Sequence, residues 1–264
     1  MKISPHAIID PEARLAADVE VGPFCVIGPQ VQIGPRCRLL NNVTILGSTR
    51  IGANNVMFPN SVIGAPPQDR KYRGGVPRLE IGDGNLFREA VTIHCGTEKG
   101  GGITRFGNNN MLMVNVHVGH DAQIGSNCTI ANNVMIAGHV IVGDYVAMMG
   151  AVGIHHFVTV GEYAFLGGAA RIRHDVPPYL KVDGDDNVRG LNRVGLQRAG
   201  FEPADIEALE EACRRLYYRA KPFSVALAEF DVMNGANQHV KRMVEFLRQR
   251  DLGKFGRFLE SRRG

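Results

Sequence analysis

The sequence predicts a mainly β protein, a parallel β-helix followed by a small α-helical C-terminal domain. An apolar residue returns at every sixth position over most of the chain, glycine is in excess, and helical spacing replaces the six-residue spacing near the C-terminus. A unit of six residues holds one short strand and a tight turn, whereas a helical repeat needs a longer unit. We therefore expect residues 1–190 to form the β-helix and residues 191–264 the helical domain.

The six-residue register can be followed through two long runs of anchor positions. The anchors are Ile9, Leu15, Val21, Ile27, Ile33, Leu39, Ile45, Ile51, Met57, Ile63, Ile81, Phe87 and Ile93, then Phe106, Leu112, Val118, Ile124, Ile130, Ile136, Val142, Met148, Ile154, Val160, Leu166 and Ile172. The residues after an anchor are often glycine, then turn formers, then a small residue, as in 27–31 (IGPQV) and 142–146 (VGDYV). We expect each anchor to point into the core and each such glycine to turn a corner.

Composition agrees with this fold and excludes several classes of protein. The chain has 264 residues, of which 44% are hydrophobic and 21% charged, so it can bury a sizeable core. Glycine, at 32 residues, is roughly 12% of the chain against an ordinary usage of about 7%. No apolar run reaches the roughly 20 residues of a membrane span, and the N-terminus lacks a signal-peptide apolar region. We expect a cytoplasmic protein without a transmembrane segment.

The five cysteines are expected to be packing residues. They contain no close CxxC pair, which argues against a disulfide framework and against a structural zinc site. Cys25, Cys37 and Cys128 all occupy the small fifth position of the repeat, where a buried thiol fits.

The register breaks twice, in polar stretches that are rich in glycine or proline. The first break lies near residues 65–80 and the second near residues 98–105. Such stretches predict loops ejected from the β-helix, where binding groups are over-represented. We interpret the first loop as a binding element and the second as a tolerated surface insertion.

Helical spacing governs the chain after residue 190. We expect helices over 203–217, with Pro203 at the first helical position, over 224–233, with Ser224 as the cap, and over 238–249. Residues 241–264 hold eight basic and three acidic side chains. We interpret this stretch as a solvated basic face, with attraction to phosphates or an anionic membrane surface as the alternative. We do not expect a nucleic-acid partner.

Chemistry is expected among five histidines of the second run. They are His117, His120, His139, His155 and His156, and all lie off the anchor and small positions, which turns them outward. Three six-residue units make one coil, so residues 18 apart stack in columns spaced by roughly 4.8 Å. One predicted column holds His120, Gly138, His156 and His174, and its neighbour holds Asp121, His139, Phe157 and Asp175.

A histidine cluster suits either metal binding or proton transfer. Zinc needs three or four ligands at about 2.1 Å, and His117 and His120 can offer two. Asp121 follows His120 directly, and a carboxylate beside an imidazole fixes its tautomer and raises its basicity, as a general base requires. The pattern alone leaves both possibilities open.

Several motifs together resemble the UDP-N-acetylglucosamine O-acyltransferase family. They are the segments 112–121 (LMVNVHVGHD), 130–139 (IANNVMIAGH), 67–72 (PQDRKY), 175–179 (DVPPY) and 195–201 (GLQRAGF). The resemblance covers essentially the whole chain, and this ordered combination is far more specific than the repeat. It implies a left-handed parallel β-helix that forms a homotrimer with active sites between subunits, and it implies catalysis of the first step of lipid A synthesis.

The resemblance also implies roles for individual residues. His120 is the expected general base that takes a proton from the sugar 3-hydroxyl as it attacks a 3-hydroxyacyl thioester of acyl carrier protein. Asp121 is expected to orient His120, and the backbone N–H of Gly138 to stabilise the oxyanion. Neither a covalent acyl-enzyme nor a metal or cofactor is needed.

Further positions match substrate-contacting residues of the family. They are Gln68, Asp69, Lys71, His117, His139, His155 and His156, with Asn192 and Arg198 near the nucleotide and Gly168 at the end of the acyl groove. A glycine at that end leaves room for a long chain. Three residues depart from the best-known members: His156 stands in place of Gln, Val194 in place of Glu, and Ala199 in place of Arg. Because of them, both UDP-N-acetylglucosamine and its 3-amino analogue remain candidate acceptors.

Three alternatives are kept. The later N-acyltransferase of the same pathway shares the β-helix but has an additional N-terminal domain, for which a register starting at Ile9 leaves no room. A zinc carbonic anhydrase on a left-handed β-helix would use the histidines as ligands. A purely structural β-helix would not need Lys71, His117, His120 and His139 together.

Overall fold

The chain winds into a β-helix of three parallel sheets, and each coil contributes one short strand to each sheet. This computed structural model describes residues 2–218, 222–232 and 237–262. Lys2 pairs with Glu20, and Glu20 pairs with Arg38, so the chain returns to the same sheet every 18 residues. Three six-residue units therefore form one coil, as predicted.

The strands are numbered along the chain. Sheet A consists of β1 (Lys2–Ile3), β4 (Glu20–Val21), β7 (Arg38–Leu39), β10 (Val56–Met57), β13 (Leu86–Phe87), β16 (Met111–Leu112), β19 (Thr129–Ile130), β22 (Ala147–Met148), β25 (Phe165–Leu166), β27 (Leu180–Asp183) and β28 (Asn187–Leu191). Sheet B consists of β2 (Ile8–Ile9), β5 (Val26–Ile27), β8 (Thr44–Ile45), β11 (Val62–Ala65), β14 (Thr92–His94), β17 (His117–Val118), β20 (Met135–Ile136), β23 (Gly153–Ile154) and β26 (Arg171–Ile172). Sheet C consists of β3 (Arg14–Leu15), β6 (Gln32–Ile33), β9 (Ser48–Ile51), β12 (Arg78–Ile81), β15 (Ile103–Phe106), β18 (Gln123–Ile124), β21 (Ile141–Val142) and β24 (Thr159–Val160).

The anchors fill the interior of the β-helix, as the register predicted. From Val21 to Ile172 every anchor is buried, whereas Ile9 and Leu15 in the first coil are half-buried. Cys25, Cys37 and Cys128 are buried free thiols between the anchors, which confirms their packing role.

The corners are turned differently from the expectation. In most turns the left-handed backbone conformation falls on the third residue after the anchor, for example Asn42, Asn60 and Asn133, and, apart from Gly64 at the start of the first loop, not on the glycine directly after it. That glycine serves close packing between coils, since a Cβ on Gly34 would lie 2.6 Å from the carbonyl oxygen of Gly52. The prediction that these glycines turn the corners is therefore wrong, and asparagine suits the turn because its side chain tolerates positive φ.

Both loops leave the β-helix where the chain passes from sheet B to sheet C, a position we call the B–C corner. The first lies between β11, which ends at Ala65, and β12, which begins at Arg78. The second lies between β14, which ends at His94, and β15, which begins at Ile103. The predicted loop bounds thus extended a few residues too far, into β12 and β15.

A small helical region follows the last coil. Strands β27 and β28 form an antiparallel hairpin at the end of sheet A, and the helices are α1 (Arg193–Arg198), α2 (Pro203–Tyr217), α3 (Phe223–Ala228) and α4 (Gln238–Asp251), with 3₁₀ helices at Glu229–Val232 and Leu259–Arg262. The side chains between them form a hydrophobic cluster of their own. The division of the chain at residue 190 stays a prediction, and residues 219–221, 233–236 and 263–264 lie outside the described residues.

The helix predictions are confirmed for α2 and corrected for α3. Pro203 begins α2, which ends at Tyr217 as expected. Helix α3 begins at Phe223 with Pro222 at the N-cap, so Ser224 is not its cap, and Met233, the predicted end, lies outside the described residues. Within residues 2–218, 222–232 and 237–262, no helix has both the length and the apolar character to cross a membrane.

Candidate active site

The B–C corner collects the histidine columns that the register predicted. The ring of His139 stacks on Phe157, with centroids 4.5 Å apart and planes inclined by 7°. His120 meets His139 edge to face, with centroids 5.1 Å apart. His156 meets Phe157 edge to face at 5.4 Å. Three successive coils therefore present one continuous surface of aromatic and imidazole rings.

His120 and Asp121 form a hydrogen-bonded pair at this corner. Nδ1 of His120 lies 2.8 Å from Oδ2 of Asp121. The side chain of Asp121 is wholly buried, whereas that of His120 is 16% exposed. The buried carboxylate can therefore hold the ring through Nδ1, and Nε2 is the ring nitrogen that does not contact Asp121 in this pair.

The charge of Asp121 is maintained by its hydrogen bonds. Burial alone would raise the pKa of Asp121, but the hydrogen bonds from His120 and Thr97, with the nearby His139, hold that pKa below its ordinary value. A buried carboxylate that accepts several hydrogen bonds remains ionised at neutral pH. Asp121 is thus a buried anion next to the imidazole of His120.

Gly138 lies against the ring of His120. A Cβ on Gly138 would lie 2.7 Å from Cε1 of His120, so a larger residue would push the ring away. Among the main-chain hydrogen bonds of the described residues, the Gly138 carbonyl accepts from Phe157 N at 3.3 Å, and the Gly138 N–H donates none. A main-chain donor next to the imidazole is therefore available to a ligand.

A cleft of about 500 Å³ opens in front of this pair. Of the predicted site residues, it is lined by Gln68, Asp69, Lys71, His120, Gly138, His139 and His156. The first loop supplies Gln68, Asp69 and Lys71. This placement is compatible with the interpretation of the first loop as a binding element, which stays a prediction.

The cleft also contains residues that sequence reasoning missed. They are Tyr72, Thr97, Glu98, Lys99, Gly100, Ala137, Phe157 and Arg262. Thr97 to Gly100 belong to the second loop, which was expected to be a surface insertion and instead forms part of the cleft wall. The six-residue register could have shown that the second loop lies beside the first. Both loops follow an anchor of sheet B and therefore leave the β-helix at the same corner.

Arg262 reaches the cleft through a C-terminal segment that folds back onto the last coil. The carboxylate of Asp175 accepts hydrogen bonds from the main-chain N–H of Thr159 and of Phe258, at 2.7 and 2.8 Å. Nη1 of Arg257 donates to the carbonyl oxygen of Arg173 at 2.8 Å. Burial is the main cause that raises the pKa of Asp175 to about 6.

Several predicted site residues lie away from this cleft. Nδ1 of His117 lies 2.9 Å from Oγ1 of Thr92, and its ring lies 5.3 Å from that of His94. Burial, and next the neighbouring His94, lower the pKa of His117. Nδ1 of His155 lies 3.1 Å from the carbonyl oxygen of His156.

The two predicted nucleotide contacts and the predicted groove end are also separate from the cleft. Asn192 is buried and caps α1, where its side chain accepts from Gly195 N at 3.2 Å and donates to the Tyr163 carbonyl at 2.9 Å. Arg198 is exposed in the last turn of α1, and Gly168 is exposed where the chain passes from sheet A to sheet B. The structure of the chain does not bring these residues to His120.

One group at the corner has the composition of a metal site. The ligand atoms of His120, Asp121 and His139 all lie within 4.8 Å of one another. However, Oδ1 of Asp121 accepts from Thr97 N, and Oδ2 accepts from the Thr97 hydroxyl while lying 2.8 Å from His120. A metal bound to Oδ2 would have to displace one of its two contacts, with the Thr97 hydroxyl or with His120, so the arrangement favours proton transfer.

Comparison with known proteins places the chain in one family. The profile of UDP-N-acetylglucosamine O-acyltransferase domain 2 matches residues 175–255, and that of the bacterial transferase hexapeptide (six repeats) matches residues 104–138. A Xanthomonas euvesicatoria protein named acyl-(acyl-carrier-protein)–UDP-N-acetylglucosamine O-acyltransferase is 47% identical over 247 residues, which cover 93% of this chain and 94% of that protein. The chain belongs to the UDP-N-acetylglucosamine O-acyltransferase family.

Solved structures of UDP-N-acetylglucosamine acyltransferases agree with this membership. The Bacteroides fragilis protein is 40% identical with a TM-score of 0.89, and the comparison covers 93% of this chain and 96% of that one. The Arabidopsis protein is 31% identical with a TM-score of 0.83, covering 97% and 98% of the two chains. The fold is therefore the left-handed parallel β-helix with a small helical C-terminal region, and recognition of the family from its motifs is confirmed.

Proposed function

We propose that the protein transfers a 3-hydroxyacyl chain from acyl carrier protein to the 3-position of UDP-N-acetylglucosamine, the first step of lipid A synthesis, with His120 as the general base. Membership of the family supports the reaction. One observation carries the assignment of the base: the buried carboxylate of Asp121 holds Nδ1 of His120 at 2.8 Å beside an open cleft. Nε2 is then the nitrogen that can accept the proton.

The proposed reaction needs one proton acceptor that later returns the proton. The sugar 3-hydroxyl oxygen attacks the thioester carbonyl while Nε2 of His120 takes the hydroxyl proton, giving a tetrahedral oxyanion and an imidazolium. The C–S bond then breaks, and the departing thiolate receives the proton from His120. Such a base contributes about 10² to 10⁴ in rate. Asp121 stabilises the transient imidazolium, which explains the use of a buried anion.

The oxyanion has a donor in the same place. The N–H of Gly138 lies beside the His120 ring and makes no main-chain hydrogen bond within the described part of the chain. One such donor typically contributes about 10² to 10³ in rate. We assign Gly138 to this role.

The acceptor is proposed to bind along the first loop. Three residues of the first loop, Gln68, Asp69 and Lys71, line the cleft beside His139 and His156. They offer an amide, an anionic and a cationic group, respectively, to a nucleotide sugar. An oxygen nucleophile makes an ester and a 3-amino nucleophile makes an amide, and His120 can serve either. We propose UDP-N-acetylglucosamine as the acceptor and treat its 3-amino analogue as the competing substrate.

A homotrimer would account for the site residues that lie away from the cleft. His117, Gly168 and Arg198 do not line the cleft of their own subunit, and Asn192 is committed to capping α1. We propose that a neighbouring subunit presents these surfaces to the same substrates. The enzyme would act in the cytoplasm, where acyl carrier protein supplies the thioester.

Product analysis tests the proposal. The purified protein is incubated with a mixture of 3-hydroxyacyl carrier proteins and with either UDP-N-acetylglucosamine or its 3-amino analogue, and products are identified by mass spectrometry. We expect one 3-hydroxyacyl ester of UDP-N-acetylglucosamine to dominate. A dominant amide would reassign the acceptor, and absence of any acylated nucleotide would overturn the function. Light scattering of the same preparation should give the mass of three chains.

A further inference from the structure

Thr97 is a buried threonine that contacts both oxygens of the Asp121 carboxylate. Its main-chain N–H donates to Oδ1 at 2.9 Å, and its hydroxyl donates to Oδ2 at 2.7 Å. Oδ2 is the oxygen that lies 2.8 Å from Nδ1 of His120. Thr97 is only 4% exposed, so water does not compete freely for these hydrogen bonds. One residue thus holds the carboxylate that holds the imidazole.

The second loop is folded around this contact. The hydroxyl of Thr97 accepts from Gly100 N at 3.1 Å, and its carbonyl oxygen accepts from Gly102 N at 2.8 Å. Gly100 packs so closely that a Cβ there would lie 2.1 Å from Oδ2 of Asp121. The main-chain N–H of Asp121 is satisfied from another strand, by Oγ1 of Thr104 at 2.8 Å.

We propose that Thr97 is a positioning residue, which acts on His120 through Asp121, and that the second loop serves to keep it there. This inference rests on the proposed function of His120 as general base. A carboxylate that accepts from a fixed N–H and a fixed hydroxyl cannot rotate, so Oδ2 stays directed at Nδ1. The ring of His120 is then held in the tautomer and orientation that direct Nε2 to the cleft.

The ionisable groups around the pair define what a pH profile would report. His139 lies on the next coil, with Nε2 3.8 Å from Oδ2 of Asp121. The other ionisable residues that line the same cleft are Glu98 and Lys99 of the second loop, Asp69, Lys71 and Tyr72 of the first, His156 and Arg262. Loss of the Thr97 hydroxyl concentrates negative charge on Oδ2, which favours imidazolium at His120. The acid limb of kcat/KM should therefore move to higher pH.

The test compares Thr97→Val with Thr97→Ser. Valine keeps the shape and the main-chain N–H but removes the hydroxyl, and loss of a hydrogen bond to a charged group corresponds to a fall of about ten- to a hundredfold. We expect that fall in kcat, little change in KM for UDP-N-acetylglucosamine, and the shifted acid limb. Serine should restore kcat to within about threefold of the original protein. On a His120→Ala background, Thr97→Val should cause no further loss.

Thr49→Val is the matched control, because Thr49 is equally buried and its hydroxyl donates to the Leu46 carbonyl at 2.6 Å and not to Asp121. It should lower thermal stability without moving the pH profile. If Thr97→Val does not fold, Thr97→Ala removes the same hydroxyl and is judged in the same way. The proposal is overturned if the folded variant keeps both kcat and the acid limb, or if Thr97→Ser loses as much as Thr97→Val. If the unaltered protein makes no acylated nucleotide, the proposed function fails instead.

Discussion

The B–C corner and the corner between sheets A and B use the same backbone turn with very different side chains. At the A–B corner, after Phe24 in the second coil, the residues with positive φ are asparagine or alanine: Asn42, Asn60, Ala90, Asn115, Asn133, Ala151 and Ala169. At the B–C corner the corresponding residues of three successive coils are Asp121, His139 and Phe157, with φ of 61°, 62° and 64°. Asparagine and aspartate tolerate this conformation, whereas alanine at the A–B corner and histidine and phenylalanine at the B–C corner adopt it at a cost.

The difference shows where side chains are selected for more than the turn. A residue other than glycine in the left-handed region costs on the order of 1 kcal/mol or more, least for asparagine and aspartate. At the B–C corner this cost is offset by specific contacts, such as the stacking of His139 on Phe157 and the hydrogen bonds of Asp121. At the A–B corner Asn115 merely donates to Asn133 at 2.9 Å. The A–B corner supports the coil, and the B–C corner carries the candidate chemistry.

Replacement of His120 should give the largest contrast between the corners. His120→Ala should lower kcat at least about a hundredfold while leaving the protein folded, because the partly exposed side chain proposed as the base contributes to chemistry and little to the core. Steady-state rates with acyl carrier protein thioesters measure this. The control is Asn133→Ala at the A–B corner, where Ala151 already occupies the equivalent turn in the next coil. Similar rates in both variants would remove His120 from the mechanism.

Gly168 tests whether the A–B corner is purely structural, since it lies at that corner and yet is predicted to end the acyl groove. Each buried CH₂ is worth roughly 0.8 kcal/mol, so exclusion of two such groups changes preference about tenfold. Gly168→Met should shift preference to shorter 3-hydroxyacyl donors by about that factor and keep the short-chain rate. Competition assays with a series of chain lengths measure the shift.

Gly168→Ala serves as the control for that series. A Cβ at this position would make only ordinary contacts, at 3.6 Å from the Gly150 carbonyl oxygen, so the fold should accept it. An unchanged chain-length profile in Gly168→Met would mean that the groove ends elsewhere and that the A–B corner is purely structural.

Asp175 tests whether the last coil of the B–C corner is held by a titrating group. Its pKa in the fold is about 6 against an ordinary 3.8, so the folded protein binds this proton more tightly than the unfolded chain. Its contribution to stability is therefore fully present below about pH 4, is lost as pH rises to about 6, and is constant above. The difference between the two pKa values corresponds to about 2–3 kcal/mol in the free energy of unfolding.

Apparent melting temperatures from pH 4 to pH 8 measure this effect. Relative to Asp175→Asn, which does not titrate, the unaltered protein should lose stability between pH 4 and pH 6.5 and then remain parallel to the variant. Asparagine also loses one of two acceptor oxygens, which adds a constant offset without a pH dependence. Parallel curves over the whole range would show that Asp175 titrates normally.

Chelation should have the smallest effect. Because the carboxylate between His120 and His139 is already committed to hydrogen bonds, activity should persist after exhaustive treatment with EDTA. Metal analysis of the treated protein provides the control for removal. Loss of activity with recovery on addition of zinc would show that the B–C corner is a metal site, and would restore the carbonic anhydrase alternative.

Much of this architecture follows from the register alone. Anchors every six residues predict three strands per coil, because a strand and its turn consume one unit, and stacking at 18 residues then places His139 on Phe157 and His120 beside Gly138. Helix α2 was predictable for a similar reason, since Pro203 marks its start and its apolar residues share one face. Such features depend on neighbours in sequence or on a strict repeat.

The contacts of the irregular segments were decided only by the tertiary structure. The sequence showed that two loops interrupt the register, but not that Thr97 turns back to the carboxylate of Asp121 or that Gly100 packs against it. It gave no sign that Arg262 reaches the cleft of His120 through the segment attached to Asp175. A repeat propagates its geometry from coil to coil through uniform main-chain hydrogen bonds, so its contacts can be predicted from the residue spacing. A loop has no such periodicity, and its position is set by the few buried polar groups that it must satisfy.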